Sequence, residues 1–292
     1  MDALVWEGET PQLRSPALVC AFAGWNDAAG SATTALTTAA ESLEAEVIAQ
    51  VDPEEFFDFQ ANRPTIRLVE GQAREIEWPG NVFLAAHAEG AERDLVLLAG
   101  TEPNLRWRAF SEGVAEAAES LGVEMVITLG ALIADVTHTL PVPITGLASD
   151  PDLIERLNLA QSSYEGPTGV VGVVHDACQR RGIPSASLWA AVPHYVAAVP
   201  NPKAALALLR RLEGMVGVAV DASELEEESA SYERQVSNAV SANPEIQELV
   251  QRLEAEQAEQ LEMEENLPSG DTLAREFERF LRQRGGGPPS GP

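Results

Sequence analysis

Positive charge is scarce in this chain, and almost all of it is arginine. Across 292 residues, 19 Lys and Arg face 46 Asp and Glu, and Lys203 is the single lysine. A formal net charge of -27 repels phosphate backbones and anionic membrane surfaces, so neither nucleic acid nor a membrane is expected as a partner. One lysine beside so many alanines reads as a genome-wide compositional bias and not as a functional signal. Cysteine is nearly missing too. Cys20 and Cys178 lie in apolar segments without metal-ligand spacing, which excludes a disulfide scaffold and points to two reduced core thiols in a cytoplasmic protein. No apolar run approaches the ~20 residues a membrane-spanning helix needs, and the opening MDALVWEGE is acidic, without the apolar stretch of a secretory leader. There is no G-x-S-x-G elbow, dinucleotide fingerprint or phosphate loop. No cofactor or metal is expected.

What is present is a regular alternation. ALVCAFAG (17–24), EVIAQV (46–51), NVFLAAHA (81–88), DLVLLAG (94–100), VEMVITLGAL (123–132), VPITGLAS (142–149) and SASLWAAV (185–192) read as strands, several of them continuously apolar, as in a strand covered on both faces. TIRLVE (65–70) alternates apolar and polar, which predicts a strand with one solvated face. Between the strands lie helical patterns: 27–43 with Asn26 or Asp27 as cap, 107–122 stopped by Gly122, 168–182 opened by Pro167, and 201–217 with Asn201 as cap and Pro202 at the first helical position. Strands and helices at this spacing predict an α/β sandwich around a largely parallel sheet.

The composition shifts at Asp221. Residues 221–265 hold fourteen Asp or Glu, two Arg and no glycine. One helix runs through Tyr232, Val236 and Val240. A second starts at the Asn243 cap and carries a stripe of Ile246, Leu249, Val250, Leu253 and Leu261, interrupted at Gln257. DTLAREFERFLRQR (271–284) predicts a last helix with Leu273, Phe277, Phe280 and Leu281 on one face. The organisation expected is an α/β body over 1–220, an acidic helical appendage over 221–284 and a disordered tail over 285–292. The acidic run reads either as the solvated face of a hairpin packed on the body or as a docking arm.

In an open α/β sheet, function collects beyond the carboxyl ends of the strands, and four segments fall there. GWND (24–27) offers Gly24 for a tight turn, an exposed helix start, and Trp25, Asn26 and Asp27, either as a helix cap with a packed tryptophan or as an anion site. GTEPNLRW (100–107) places Glu102 and Asn104 near Arg106, a carboxylate and a guanidinium that can bind a polar ligand or pair with each other. ADVTHTLP (134–141) has Asp135 and His138 three apart, able to share a helical turn and serve as a base pair of groups, or else to satisfy loop backbone. PHYVAAVPNP (193–202) brings His194 and Tyr195, so His138 and His194 could meet at one crevice, although a metal would need a third ligand. His87 and His175 lie in apolar contexts and read as core or surface residues.

FAGWNDAAGSATTAL, LLAGTEPNLRWRAF, TLGALIADVTHTLPVPITGLAS, the stretch from YEGPTGVV to NPKAALALL, and LAREFERFLR together resemble the proteasome assembly chaperone family, in its actinobacterial branch. The resemblance touches most of residues 17–215 and the last helix. It implies a three-layer sandwich of the phosphorylase/hydrolase type. Eukaryotic and archaeal relatives assist proteasome assembly, and the bacterial role is unassigned. The family segment usually reads His-Thr-Arg-Pro, whereas His138 and Thr139 are followed here by Leu140, which removes a cation from the turn. A chaperone role needs a surface, for which Trp25, Arg106, Trp107, Trp189 and Tyr195 are suited. The expectation is a non-enzymatic assembly protein with protein partners, proteasome-related by resemblance, acting as a homo-oligomer. The alternative is a hydrolase or phosphorylase using Asp27, Glu102, Asp135 and His138 in the crevice. Convergence of those four in one deep pocket would favour that alternative.

Overall fold

The computed structural model describes residues 4–69, 73–148 and 150–265. In chain order the elements are β1 (Leu4–Trp6), β2 (Ala17–Ala23), α1 (Ser31–Ser42), β3 (Glu46–Val51), β4 (Thr65–Val69), β5 (Ala73–Glu77), β6 (Asn81–Ala86), β7 (Leu95–Thr101), α2 (Trp107–Ser120), β8 (Met125–Ala134), β9 (Ile144–Ala148), α3 (Pro151–Leu157), β10 (Ala160–Gln161), α4 (Val170–Arg180), β11 (Ser185–Pro193), α5 (Pro202–Val216), α6 (Ser223–Ser241) and α7 (Pro244–Glu265). Nine strands form one sheet in the order β1-β3-β6-β7-β2-β8-β11-β9-β10, and β4 with β5 forms a separate two-stranded ribbon.

The sheet is mixed, which corrects the largely parallel expectation. β7, β2, β8 and β11 run parallel at its centre, whereas β1, β3 and β6 on one side and β9 on the other join it antiparallel. The cause lies in the connections. A parallel neighbour needs a long crossover, and α1 lies on the path from β2 to β7, α2 on the path from β2 to β8, and α4 on the path from β8 to β11. β6 and β7 are joined by a short loop with no helix and fold back on each other.

The central strands are apolar throughout because both faces are covered. Ala17, Val19 and Ala21 of β2 join Leu97, Ile127, Leu129 and Leu188 in a core with α1 and α5 residues such as Leu36, Leu208 and Leu212. Leu18, Cys20 and Phe22, one residue out of phase, join Leu98 and Val126 in the core beneath α2 and α4, with Phe110, Val114 and Val174. A period of two sends successive side chains to opposite faces, and each face meets its own helices, so the fold is an α/β sandwich. Phe110 stands edge-on to Phe22 and Phe56, with ring centroids 5.8 and 5.5 Å away. Cys20 and Cys178 are free and buried in this second core.

Helix ends follow their signals. Asn201 Oδ1 accepts from Ala204 N at the start of α5, and Asn243 Oδ1 accepts from Glu245 N ahead of α7. Gly122 and Gly217 stand at left-handed φ past α2 and α5. The acidic helices pack on the body. Ala222 and Leu225 enter the α1/α5 core, while Tyr232, Val236, Val240 and Val250 cluster against Tyr195 and Val196. The predicted helix over 271–284 and the tail over 285–292 lie outside the described residues. β1, β5, β10 and α3 have no counterpart in the sequence reading. They are two to seven residues long.

Candidate functional site

Since β7, β2, β8 and β11 are parallel neighbours, the four segments that follow them lie along one edge of the sheet. They do not pool their reactive groups.

GWND is stitched to β8, with Ala131 N donating to Asn26 O at 2.8 Å. Gly24 has φ +146, and a Cβ there would lie 3.0 Å from Glu102 Cβ, so only glycine fits this turn. The chain passes through a short 3-10 turn at 28–30 before α1 begins. Asp27 therefore caps from one turn upstream. Its Oδ1 accepts from Ala32 N at 2.7 Å and Thr33 N at 3.4 Å, while Thr33 Oγ1 donates to Oδ2. Burial pushes the Asp27 carboxyl above its ordinary range, against the pull of these three donors. Asn26 does not cap. It is buried and its Nδ2 has no protein partner.

Glu102 reaches across to the start of α4, where Oε1 accepts from Val170 N at 2.8 Å. A methyl on Gly169 would sit 2.7 Å from that oxygen and closer still to Asn26 Nδ2. Glu102 and Arg106 do not pair. Arg106 forms its ion pair with Glu55 and lies over the Phe56 ring, 5.8 Å from the centroid. Asn104 Oδ1 accepts from Asp58 N at 3.0 Å. Asn104 and Arg106 thus anchor the 55–58 loop.

Asp135 and His138 share no helical turn, because the chain leaves β8 in irregular structure. Asp135 is exposed and pairs with His194 Nδ1 at 3.2 Å. His138 is 3% exposed and lies under the acidic helices. Tyr195 Oη is 2.9 Å from His138 N and 2.7 Å from Nδ1, and Ser237 Oγ of α6 is 3.1 Å from Nε2. Tyr195 Oη accepts from the backbone N–H, which frees its own proton for Nδ1. Nε2 then carries the imidazole proton and donates to Ser237. Lys203 Nζ donates to His138 O at 2.6 Å and pairs with Glu233 of α6. Burial, then Lys203, lowers the His138 pKa, with Glu233 and Glu254 pulling the other way, so the ring is neutral at pH 7. His138 and His194 each stand edge-on to the Tyr195 ring, with centroids 5.8 and 5.6 Å away, and their ring nitrogens have different partners. Among the described residues, no three His, Cys, Asp or Glu are grouped to hold a metal ion, and no helix is long and apolar enough to cross a membrane.

The site that does form is a groove of about 890 Å3 between α4, one face of β9 and β11 along their length, the end of β8, and the 162–168 loop. Trp25, Leu132, Ile133 and Tyr164 stand at its rim, 48–66% exposed. Trp189 lies inside, its indole N–H donating to Ser187 Oγ at 3.1 Å, and packs so close to Gly130 that a Cβ there would lie 2.5 Å from the ring. His175 also lines the groove, with Nε2 2.8 Å from Thr128 Oγ1, and burial lowers its pKa to about 4. Of the expected site residues, the groove takes Gly24, Trp25 and Asn26. Sequence reading missed Leu132, Ile133, Tyr164 and His175. One signal for His175 was available: Thr128 is a polar residue inside an apolar strand, and a buried hydroxyl needs a partner.

The PAC2 family model matches residues 21–240. A PAC2 family protein of Streptomyces avermitilis is 46% identical, with 80% of this chain and 99% of that one covered and a TM-score of 0.75. A proteasome-assembly chaperone homologue of Mycobacterium tuberculosis is 42% identical over the same shares, with a TM-score of 0.73. An archaeal proteasome activator of Pyrococcus furiosus shares the fold at 18% identity, covering 81% of this chain and 97% of its own, with a TM-score of 0.62. No curated protein matches the chain.

Proposed function

Because the chain belongs to the PAC2 family, we propose that it is a non-enzymatic assembly protein that receives a protein partner, a proteasome subunit or assembly intermediate, at the groove rimmed by Trp25, Leu132, Ile133 and Tyr164. One observation carries this reading. The four groups a hydrolase or phosphorylase would need are engaged elsewhere: Asp27 caps α1, Glu102 caps α4, Asp135 pairs with His194, and His138 is locked under α6. The groove keeps Trp25 and Tyr164 at its rim, residue types enriched in interface hot spots, and among the described residues no Lys or Arg lines it, which disfavours an anionic substrate. The body over 1–220, of the phosphorylase/hydrolase sandwich type, presents the groove. Ahead of its undescribed end, the appendage assigned to 221–284 braces the loop after β8 through Ser237 and Glu254. The protein works in the cytoplasm, in keeping with two buried free thiols, and as a homo-oligomer.

The test uses purified proteasome α- and β-subunits from the same genome. Binding, or faster assembly on native gels, is expected, and the Trp25→Ala/Ile133→Ser variant weakens it at least tenfold, about 1.4 kcal/mol. Absence of binding to any subunit or intermediate, together with turnover of a nucleoside or ester by the intact chain, overturns the reading.

A further inference from the structure

The groove carries no formal charge. Among the described residues, none that lines it is Asp, Glu, Lys or Arg, in a chain that is 22% charged. His175 is neutral at pH 7, because burial lowers its pKa to about 4. The floor is one face of the sheet. Ser185, Ser187, Trp189 and Ala191 alternate along β11, and register sets Thr145 beside Trp189 and Leu147 beside Ser187. A period of two sends the residues between them, Ala186, Leu188 and Ala190, into the core shared with α1 and α5. From Ser185 to Ala191 the floor runs for roughly 20 Å, room for about six residues of extended chain.

Asn26 stands beside the Trp189–Ala191 end of this floor. Its carbonyl accepts from Ala131 N, and Ala131 is in register with Ala190. Asn26 lines the groove, is 8% exposed, and its Nδ2 has no protein partner. The nearest carboxylate is engaged, since Glu102 Oε1 accepts from Val170 N. Gly169 leaves the space that the carboxamide fills, for a Cβ there would lie 2.1 Å from Asn26 Nδ2. A buried amide without a partner costs stability, and an apolar residue of the same shape does not.

We propose that Asn26 is the anchor for an extended, uncharged segment of the protein partner, one backbone peptide group pairing with its carboxamide while apolar side chains of the segment cover Trp25 and Trp189. This rests on the reading of the groove given above and names what the groove takes. A carboxamide holds one acceptor and a donor pair, the complement of the N–H and C=O of a peptide group. Its last torsion is broad, so it can turn either end to a chain laid on the floor. A helix has bonded those backbone groups internally, whereas an extended segment keeps them free. A purely hydrocarbon surface would leave the amide unmet. A charged segment would lose its hydration in the groove and gain no ion pair there, so the segment is uncharged.

The probe is a set of peptides about twelve residues long, tiling the proteasome α- and β-subunits of the same genome, read by fluorescence polarisation against the full chain. Binding is expected for uncharged apolar peptides. Asn26→Leu keeps size and branching. It should weaken that binding at least tenfold while the urea midpoint stays level or rises, because a buried unpaired donor is gone. Thr145→Glu, at an exposed strand position, puts a carboxylate on the floor and should weaken the same peptides at least tenfold. The inference is overturned if no peptide binds, if acidic or basic peptides bind as tightly, or if either variant leaves affinity unchanged. It also falls if Asn26→Leu lowers the urea midpoint in step with affinity, as a merely structural side chain would. Intact subunits score the groove itself. If they bind and Trp25→Ala/Ile133→Ser weakens them while Asn26→Leu does not, the groove reading stands and this inference fails. If no intact subunit binds yet the peptides respond to Asn26→Leu, the failure belongs to the assembly role.

Discussion

His138→Ala separates a structural latch from a catalytic base. The wild-type ring makes two side-chain hydrogen bonds, to Tyr195 Oη at 2.7 Å and Ser237 Oγ at 3.1 Å, at a site where the residue is 3% exposed. Each neutral bond contributes about 1 kcal/mol net. Truncation also leaves an imidazole-sized void and an unpaired Ser237 hydroxyl, so the total cost is about 2–4 kcal/mol. Tyr195 retains the His138 backbone N–H, which holds the figure toward the lower end. Ser237→Ala alone should cost about 1 kcal/mol, and the double variant should show a coupling of about 1 kcal/mol, because both changes delete the same bond. Urea unfolding followed by circular dichroism gives the free energies. Limited proteolysis reports where the loss falls, and cleavage should accelerate first in residues 221–265, since the bond ties α6 to the body. A His138→Ala cost below 0.5 kcal/mol, or strict additivity with Ser237→Ala, refutes the latch and returns His138 to the pool of groups available for chemistry.

The remaining predictions concern the same edge of the sheet. Gly169→Ala puts a methyl against Asn26 and Glu102 Oε1 and should destabilise by about 1–3 kcal/mol, read as a lower melting temperature. Asp27→Ala removes the acceptor for Ala32 N and Thr33 and should cost about 1–2 kcal/mol, whereas Asp27→Asn keeps Oδ1 and sheds a buried charge, so it should cost less than half as much. Both follow from urea titration at pH 7. His175 has its pKa lowered to about 4 from 6.5, so the unfolded chain binds its proton first. The resulting stability is complete above pH 6.5 and declines as pH falls from 6.5 to 4. A shift of that size corresponds to at most about 3 kcal/mol, an upper bound because the ring edge faces the groove and keeps contact with water. His175→Gln should flatten the stability-against-pH curve in that window, and an unchanged slope would show that the imidazole is not the group titrating.

Much of the scaffold was legible because its signals are local or periodic. The unbroken apolar runs of β2, β7 and β8 announced strands covered on both faces, and Asn201-Pro202 and Asn243-Pro244 fixed two helix starts within a residue. Pairing direction was not legible, since nothing in NVFLAAHA says whether β6 lies parallel or antiparallel to β7. The ribbon shows the same gap. TIRLVE alternates as a half-buried strand should, yet both faces of β4 are exposed, because alternation records which face prefers cover and not whether this chain supplies it. Of the functional edge, the four segments were correctly placed beyond parallel strands, but their side-chain partners were not readable. Arg106 chose Glu55 over Glu102, four residues away, because its left-handed φ of +55 turns the chain there. The partner of His138 lies 99 residues downstream on α6, a distance over which neither spacing nor composition constrains pairing.

The carboxyl edge of a parallel sheet gathers polar side chains for two reasons that produce the same composition. Catalysis needs them there, and so does the backbone, because each strand ends where the next element must begin with unpaired N–H groups. In this chain the second need uses the polar residues. α1 takes Asp27, α4 takes Glu102, and the joint with α6 takes His138, Tyr195 and Lys203. Beside the paired polar groups that stay exposed, such as Asp135 and Arg106, the edge presents Trp25, Leu132 and Ile133, each projecting from residues whose backbone or neighbours are already fixed. A tryptophan held on a turn pinned by Ala131 N to Asn26 O loses little freedom when a partner covers it, and that pre-organisation converts an exposed side chain into binding affinity. The cap is therefore more than scaffold: by fixing the turn from beneath, the Asp27 side chain and the Asn26 backbone carbonyl set the orientation of the residue between Gly24 and themselves. On this argument Asp27→Ala, which frays that turn, should weaken partner binding in proportion to its loss of stability, even though the Asp27 carboxylate is buried.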